Sequence, residues 1–298
     1  MKAIAWVRAS QAILFEASIV PALAGTAAAV GAGAAFRPEY LVLILVSLIG
    51  IQAGANLFKG YYEGLDRSVP PSSPGAWFAF DSGAAIGLAR NPKTVLRAGS
   101  ACFAVGVAAG LGLVMITANL VLFAFGLAGA ILAWSYSSPP LKLSYRGIGE
   151  ISTFLAFGPI MTVGATVAFG SAGAESSVFA SLILGFLAAA ISFARYFPNR
   201  EEDVAKGKRT PVTLLGVRRA TLAFIGLLMS PYLVGVVWLI RGGGILWMPV
   251  LAGFVALIGL SLSRTGGRSR EYRMAIALTI AAHAVVGLSL IADLAFRL

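Results

Sequence analysis

Long apolar runs separated by short polar breaks constrain the fold of this 298-residue chain more than any other feature. Hydrophobic residues make up 58% of the sequence and charged residues 12%, and the mean hydropathy is +0.87. Soluble domains carry about 25% charged residues. A run of about 20 apolar residues can cross the hydrocarbon core of a bilayer as a helix. The sequence therefore predicts an all-α integral membrane protein with one transmembrane domain over residues 1–298.

Counting the apolar runs predicts about nine transmembrane helices. They are expected near residues 10–34, 40–59, 96–115, 118–137, 149–170, 176–197, 218–240, 245–263 and 273–295. All Lys and Arg residues except Arg37, Arg241 and Arg297 then fall on one side, which the positive-inside rule assigns to the cytoplasm. We therefore expect a protein of the cytoplasmic (inner) membrane, with the N-terminus and the polar loops inside and the C-terminus outside. Gly106 and Gly110 predict a close helix contact.

The net charge of +11 does not indicate a nucleic-acid partner, because the basic residues fall in short loops and not on one solvated face. The sequence has no Walker loop, HExxH, paired CxxC or Ser-His-Asp order. ATPase, zinc-enzyme and hydrolase functions therefore lose their usual support. His283 is interpreted as a hydrogen-bonded core residue and Glu16 as a helix-packing residue.

Oxygen-bearing side chains occur at helical spacing at the end of the second predicted span. Asn56 and Glu63 are seven residues apart, and Glu63 and Asp66 are three apart, so each pair shares a helix face. Carboxylates at the end of a membrane helix are costly unless they face a polar cavity. Oxygen ligands suit Mg²⁺, so this segment is a candidate metal site, with a helix cap and solvated loop as the alternative. Asp81 could join the site or be solvated.

A second polar stretch, residues 195–210, interrupts the apolar sequence after the sixth predicted span. Asn199 and Asp203 are four residues apart and share one face if the segment extends the preceding helix. Lys208 is one of three basic residues that follow at once. Oxygen ligands beside cations are what a Mg²⁺-bridged diphosphate requires. The alternative is a solvated positive-inside loop.

A third polar loop follows the fourth predicted span. Lys142 and Arg146 provide two cations beside Tyr136 and Tyr145. Cations at a membrane interface commonly bind lipid headgroups, so membrane lipids are one set of partners. Binding of a diphosphate is the alternative.

Three motifs lie in these loops. They read NLFKGYYEGLD at 56–66, YSSPPLKLSYRGIGE at 136–150 followed by FGP at 157–159, and FPNREEDVAKGKRT at 197–210. Together they resemble the motifs of the UbiA superfamily of intramembrane prenyltransferases, especially the 1,4-dihydroxy-2-naphthoate polyprenyltransferases. Motif order, motif spacing and helix count agree with that family over nearly the whole chain.

The resemblance implies a bundle of nine helices around a central cavity, with the acidic motifs at its cytoplasmic mouth. It also implies Mg²⁺-dependent transfer of a polyprenyl group from a polyprenyl diphosphate to an aromatic acceptor such as a quinone precursor. The implied metal ligands are Asn56, Glu63, Asp66, Asn199 and Asp203. The implied substrate-binding residues are Asn56, Arg67, Tyr136, Tyr145, Arg146, Asn199 and Lys208. The implied catalytic residues are Asp66, Asp203 and Lys142.

The chain departs from the family pattern at three positions. Gly60 stands where the family usually has an acidic residue, Glu63 replaces an Asp, and Asn199 replaces the first Asp of the second acidic motif. Two carboxylates are therefore missing, and Mg²⁺ binding should be weaker. The alternative function is a catalytically altered or inactive paralogue that binds isoprenoid or lipid in the membrane. A transporter has less support, because charged residues are not paired deep within several spans.

Overall fold

The structure is a computed structural model that describes residues 2–65, 91–263 and 272–296, and its regular elements in these ranges are all helical. The helices are α1 (Lys2–Ala9), α2 (Glu16–Gly31), α3 (Pro38–Gly64), α4 (Lys93–Thr117), α5 (Leu120–Ser135), α6 (Gly149–Ala168), α7 (Ala174–Ala194), α8 (Arg200–Ala205), α9 (Pro211–Ile240), α10 (Trp247–Ser263) and α11 (Tyr272–Phe296). Single short turns of helix cover Ala12–Leu14 and Leu143–Tyr145. Three residues expected at the site, Asp66, Arg67 and Asp81, lie outside the described ranges.

Seven of the described helices are long and apolar enough to cross a membrane. They are α2 with its preceding turn, α3, α4, α6, α7, α9 and α11. The apolar helices α5 and α10 are shorter, at 16 and 17 residues. Each of these elements coincides with one predicted span, so the all-α membrane fold is confirmed. The count of nine membrane-crossing helices stays a prediction.

Helix α7 lies in the middle of the bundle. Ile183, Leu184, Leu187 and Ala190 are completely buried, and they pack in one core with residues of α2, α9 and α11. Other helices rather than lipid therefore enclose α7 along most of its length. The C-terminal end of α7 is therefore held firmly, and it delivers Arg195 and the following turn to the polar end of the bundle.

Helices α3 and α4 pack through glycines. A Cβ atom placed on Gly106 would lie 2.6 Å from both the backbone nitrogen of Ile51 and the carbonyl oxygen of Ser47. A Cβ on Gly54 would lie 2.8 Å from the carbonyl oxygen of Gly99. The absence of side chains lets the two backbones approach closely, as in small-xxx-small contacts of membrane helices. The close contact predicted from Gly106 is confirmed.

Helix α6 widens into one π-helical turn at Ala156–Ile160, with Pro159 inside it. Proline has no N–H group and its ring clashes with the preceding turn, so a regular α-helical turn cannot form here. A Cβ on Gly158 would meet α7, which shows that this turn lies directly against that helix. The segment FGP that the sequence singled out thus forms the wide turn at which α6 packs against α7.

Helix α9 begins at Pro211, earlier than the predicted residue 218. The cause is a capping box: Thr210 Oγ1 accepts a hydrogen bond from the Thr213 backbone at 3.2 Å, and Thr213 Oγ1 accepts one from the Thr210 backbone at 2.8 Å. Pro211 suits the first turn because its missing N–H needs no partner there. Gly216, with φ of 74°, then kinks the helix. Because α9 begins at Pro211, Lys208 just before it is held close to the end of α3.

Candidate active site

Three segments that are far apart in sequence meet at one end of the bundle. They are the C-terminal end of α3, the turn between α7 and α9, and the loop between α5 and α6. Lys208 Nζ lies 2.9 Å from Glu63 Oε1 and 4.7 Å from the centre of the Tyr145 ring. The backbone N–H of Arg209 donates to the Tyr145 carbonyl at 3.1 Å. The fold therefore brings together the three loops that carry the sequence motifs.

A buried cluster of two carboxylates and one ammonium group lies at this meeting point. Glu63 and Asp203 are each 3% exposed, and Lys208 Nζ lies 2.9 Å from the first and 3.6 Å from Asp203 Oδ1. Burial raises the pKa of Asp203 to about 6, although the adjacent Lys208 opposes the rise. Burial acts to lower the pKa of Lys208, but the two carboxylates outweigh it and raise that pKa above its ordinary value. The cluster thus keeps Lys208 charged near neutral pH.

Arg195 lies beside this cluster at the end of α7. It is 9% exposed, and its Nη2 donates to the Tyr136 hydroxyl at 2.7 Å and to Ser192 Oγ at 3.5 Å. The Tyr136 and Ser192 hydroxyl oxygens are 3.1 Å apart. These contacts fix the guanidinium group between the end of α5 and the end of α7.

The site consists of two adjoining cavities of opposite character. A polar pocket of about 20 Å³ is lined by Lys59, Glu63, Ser144, Arg195, Tyr196, Asn199, Glu202, Asp203 and Lys208. A larger cavity of about 290 Å³ lies between α2, α3, α4, α5, α6 and α7 and is lined mainly by apolar side chains. Lys59 and Arg195 line both cavities. A ligand with an anionic head and a long apolar tail fits this arrangement.

The structure divides the predicted metal ligands between the two cavities. Glu63, Asn199 and Asp203 line the polar pocket, whereas Asn56 lines the larger cavity, where its Nδ2 donates to the Ser10 carbonyl at 2.9 Å. Helix α8 is a separate short helix and not an extension of α7. Asn199 and Asp203 nevertheless lie one turn apart, because the Asp203 N–H donates to the Asn199 carbonyl at 2.8 Å.

Tyr136, Tyr145 and Arg146, the substrate-binding residues predicted at the end of α5 and in the loop after it, differ in whether they line a cavity. Tyr136 lines the larger cavity. Lys142 Nζ lies 5.2 Å from the centre of the Tyr145 ring, on which Lys208 also packs. Arg146 is exposed, and its Nη2 donates to the Pro140 carbonyl at 3.0 Å. Lys142 and Arg146 do not line either of the two cavities formed by the described residues, and their binding of phosphate stays a prediction.

Two buried basic residues of the site, Lys59 and Arg195, are not among the site residues that the sequence predicts. The positive-inside pattern accounts for both of them without a function. The available signal was spacing: Asn56, Lys59 and Glu63 are three and four residues apart on α3, and therefore share one face. Ser192 and Arg195, at the end of α7, are likewise three residues apart.

The polar pocket has the donor atoms that a divalent cation requires. Asp203 Oδ2 is buried and accepts no hydrogen bond from the described residues, and the Glu63 carboxylate and Asn199 side chain line the same pocket. Hard cations such as Mg²⁺ bind oxygen ligands of this kind. Within the described ranges no three Asp, Glu, His or Cys side chains form a cluster, so other oxygen atoms would have to complete the coordination. The residues present fit one weakly held divalent ion.

The fold is that of a polytopic membrane protein with a small polar pocket next to a larger apolar cavity. The chain belongs to the UbiA prenyltransferase family, because residues 87–288 match the model of that family. It is therefore a prenyltransferase and an integral membrane protein, as the sequence motifs predicted.

Individual relatives agree with this assignment. The 2-carboxy-1,4-naphthoquinone phytyltransferase of Synechocystis sp. is 25% identical over 236 residues, which cover 77% of this chain and 72% of the relative. The 1,4-dihydroxy-2-naphthoate octaprenyltransferase of Bacillus subtilis is 26% identical over 227 residues, covering 75% and 68%. A UbiA homolog from Archaeoglobus fulgidus, solved with GPP and Mg²⁺, has the same fold, with a TM-score of 0.66, 18% identity and coverage of 97% and 99%.

Proposed function

We propose that this protein transfers a polyprenyl group from a polyprenyl diphosphate to an electron-rich aromatic acceptor of the quinone-precursor type, with Mg²⁺ as cofactor. The observation that carries the proposal is the junction of the two cavities. An apolar cavity of about 290 Å³ shares the side chains of Lys59 and Arg195 with a pocket that is lined by Glu63, Asp203 and Lys208. A prenyl chain suits the apolar cavity, and the charged groups around the small pocket suit a diphosphate with its metal ion.

The relatives support the choice of donor and acceptor. The two enzymes described above are named for a phytyl or octaprenyl group and for a naphthoquinone or naphthoate acceptor. The archaeal homolog was solved with GPP and Mg²⁺. The proposal assigns the same classes of donor, acceptor and metal to this chain.

The donor would lie across the junction. Glu63, Asn199 and Asp203 would hold Mg²⁺, and the bound ion would supply positive charge to the departing diphosphate. Lys208 would add a second positive charge at the same place, held there by its contacts with Glu63 and Asp203. Asp66, Arg67, Lys142 and Arg146 are retained as further candidates from the sequence motifs.

The reaction breaks the bond between the prenyl C1 atom and the diphosphate oxygen, and the electron pair leaves with pyrophosphate. The electron-rich ring of the acceptor supplies the pair that forms the new carbon–carbon bond, and the ring proton passes to the released pyrophosphate. The apolar walls of the larger cavity would keep water away from the allylic cation, which water would otherwise capture.

We further propose that residues 1–298 form one transmembrane domain of the cytoplasmic membrane, with the catalytic loops inside. This orientation is supported by the uneven distribution of basic residues along the sequence. It is also supported by the clustering of Lys59, Arg195 and Lys208 at one end of the bundle.

The proposal is tested by incubating purified protein with Mg²⁺, a panel of prenyl diphosphates and several hydroxylated aromatic acids, with products identified by mass spectrometry. We expect at least one prenylated aromatic product, whose formation stops when EDTA removes the metal. A product that forms equally well with EDTA would contradict the role of Mg²⁺. The absence of any product across the panel would contradict the proposed reaction.

A further inference from the structure

Lys59 is a buried basic residue at the junction of the two cavities. It is 6% exposed and lines both the polar pocket and the apolar cavity. Within the part of the chain that the structure describes, no carboxylate lies within ion-pair distance of its ammonium group. An unpaired charge near the end of a membrane helix is costly unless it faces an anion or water. The position of Lys59 therefore indicates a place for an anionic ligand.

Arg195 presents a second cation to the same junction. Its contacts with the Tyr136 and Ser192 hydroxyls hold the guanidinium at the boundary between the cavities. A guanidinium has five N–H donors in a rigid plane, and it suits phosphate oxygens better than a flexible ammonium group does. The two side chains come from α3 and from the end of α7, and both elements are packed firmly in the bundle.

Lys59 has no carboxylate partner among the described residues, although three carboxylates line the same polar pocket. Glu63 and Asp203 contact Lys208, and Glu202 is paired with Lys206 at 2.5 Å. A site built only to hold metal ions would be lined by neutral or negative oxygens, because those are the protein ligands of Mg²⁺. A basic group that lines the pocket without a carboxylate beside it suits direct binding of an anion.

We propose that Lys59 and Arg195 form a phosphate-binding pair that holds the diphosphate of the donor without a metal ion. The identity of the donor rests on the proposed function. Because both residues also line the apolar cavity, they would contact the phosphate nearest to the prenyl chain, through charge-assisted hydrogen bonds. Mg²⁺ would then be required for turnover much more than for binding, so metal removal should lower kcat and leave donor affinity largely intact.

The test measures equilibrium binding of geranyl S-thiolodiphosphate, a donor analogue that resists transfer, to the full-length protein in lipid nanodiscs. Binding is measured once with Mg²⁺ and once with EDTA. We expect the wild-type affinity in EDTA to be within about tenfold of that in Mg²⁺, and Lys59→Met to weaken binding in EDTA by about tenfold or more, roughly 1.4 kcal/mol. Lys59→Arg should retain binding.

Lys93→Met is the matched control, because Lys93 is an exposed cation in the first turn of α4 and does not line either cavity. It should bind the analogue as the wild type does. The melting temperature of ligand-free protein gives a second readout. Lys59→Met should melt at the wild-type temperature or above it, because the change removes a buried unpaired charge and keeps an apolar side chain of similar length.

Two results would overturn the inference. One is that the wild-type protein binds the analogue in Mg²⁺ but not in EDTA. This result is obtained without any variant. The other is wild-type affinity of folded Lys59→Met in EDTA. If Lys59→Met does not fold, the affinity of Lys59→Gln for the analogue in EDTA is measured instead, and wild-type affinity of that variant would overturn the inference.

The failure of this inference can be told apart from the failure of the proposed function. Mg²⁺-dependent prenyl transfer without analogue binding in EDTA would overturn the phosphate-binding pair and leave the proposed function standing. Binding of inorganic pyrophosphate in EDTA that Lys59→Met removes, without a prenylated product from any donor and acceptor, would support the pair and overturn the proposed function.

Discussion

The carboxylate of Asp203 is the single group on which the proposed chemistry depends most. It is buried beside Lys208, and its Oδ2 accepts no hydrogen bond from the described residues. Asp203→Asn keeps the shape of the side chain and removes its charge, so we expect the rate of prenyl transfer to fall roughly 100-fold. Glu201→Gln, an exposed neighbour on α8, is the control and should keep wild-type activity. Equal rates in the two variants would remove Asp203 from the site.

Asn199 is a position at which a substitution should strengthen Mg²⁺ binding. It lines the polar pocket one turn from Asp203, and an acidic residue there would add a charged oxygen ligand. We expect Asn199→Asp to lower the Mg²⁺ concentration needed for half-maximal activity, on the order of tenfold, because ligand charge strengthens binding of hard cations. The measurement is a Mg²⁺ titration of initial rates, with Asn91→Asp, at an exposed position, as the control. An unchanged titration midpoint would count against the placement of Asn199 beside the metal.

Part of the site could be predicted from the sequence, because local spacing carried the information. Glu63 was found as an acidic residue at the end of an apolar segment, where it is costly without a function. Asp203 was found from its four-residue spacing to Asn199 and from the basic residues that follow it. Lys59 and Arg195 were missed because a basic residue at the end of a membrane helix is usually explained by topology. Their burial depends on the meeting of several segments at the polar end of the bundle, and these segments lie far apart in sequence.

At the scale of elements, the contact between α3 and α4 provides a test of packing. A Cβ on Gly106 would meet the α3 backbone, whereas one on Gly112, in the same helix, has nothing within 4 Å. Gly106→Leu should destabilise the protein by about 1–3 kcal/mol, because the helices must separate to admit the side chain. Gly112→Leu is the matched control and should remain near wild-type stability. Thermal melting in detergent compares the two, and equal melting temperatures would contradict the described interface.

Element positions were predicted well and element ends less well. Hydropathy located each apolar helix, since a run of about 20 apolar residues has few alternatives. The start of α9 at Pro211 was missed because Gly216, Arg218 and Arg219 interrupt the apolar run near its beginning, although Thr210, Pro211 and Thr213 carry a capping signal. Helix α8 was considered only as an extension of α7, and the turn that separates the two helices has no strong signal in the sequence.

For the whole molecule, the uneven distribution of basic residues predicts the orientation in the membrane. In a Cys102→Ala background, a single cysteine introduced by Arg241→Cys should react with a membrane-impermeant maleimide in intact cells. One introduced by Arg200→Cys should react only after the cells are permeabilised. Both native residues are exposed, at the end of α9 and the start of α8 respectively. The reverse labelling pattern would show that the catalytic loops face outward.

The shape of the interior could not be predicted from the sequence. Six helices line the apolar cavity, and most of them are apolar on every face, so periodicity does not show which side chains point inward. The cavity results from contacts between distant segments, including the π-helical turn of α6 and the glycine contact between α3 and α4. The family resemblance implied a central cavity, but only the packed helices locate its polar end at Lys59 and Arg195.

The most direct test of the central claim is an experimental structure of the protein in nanodiscs with geranyl S-thiolodiphosphate and Mg²⁺. We predict density for the diphosphate in the polar pocket, within contact distance of Lys208 and next to Asp203, with the geranyl chain in the cavity between α2 and α7. A diphosphate bound instead at the exposed Arg146, with the apolar cavity free of the geranyl chain, would contradict the account.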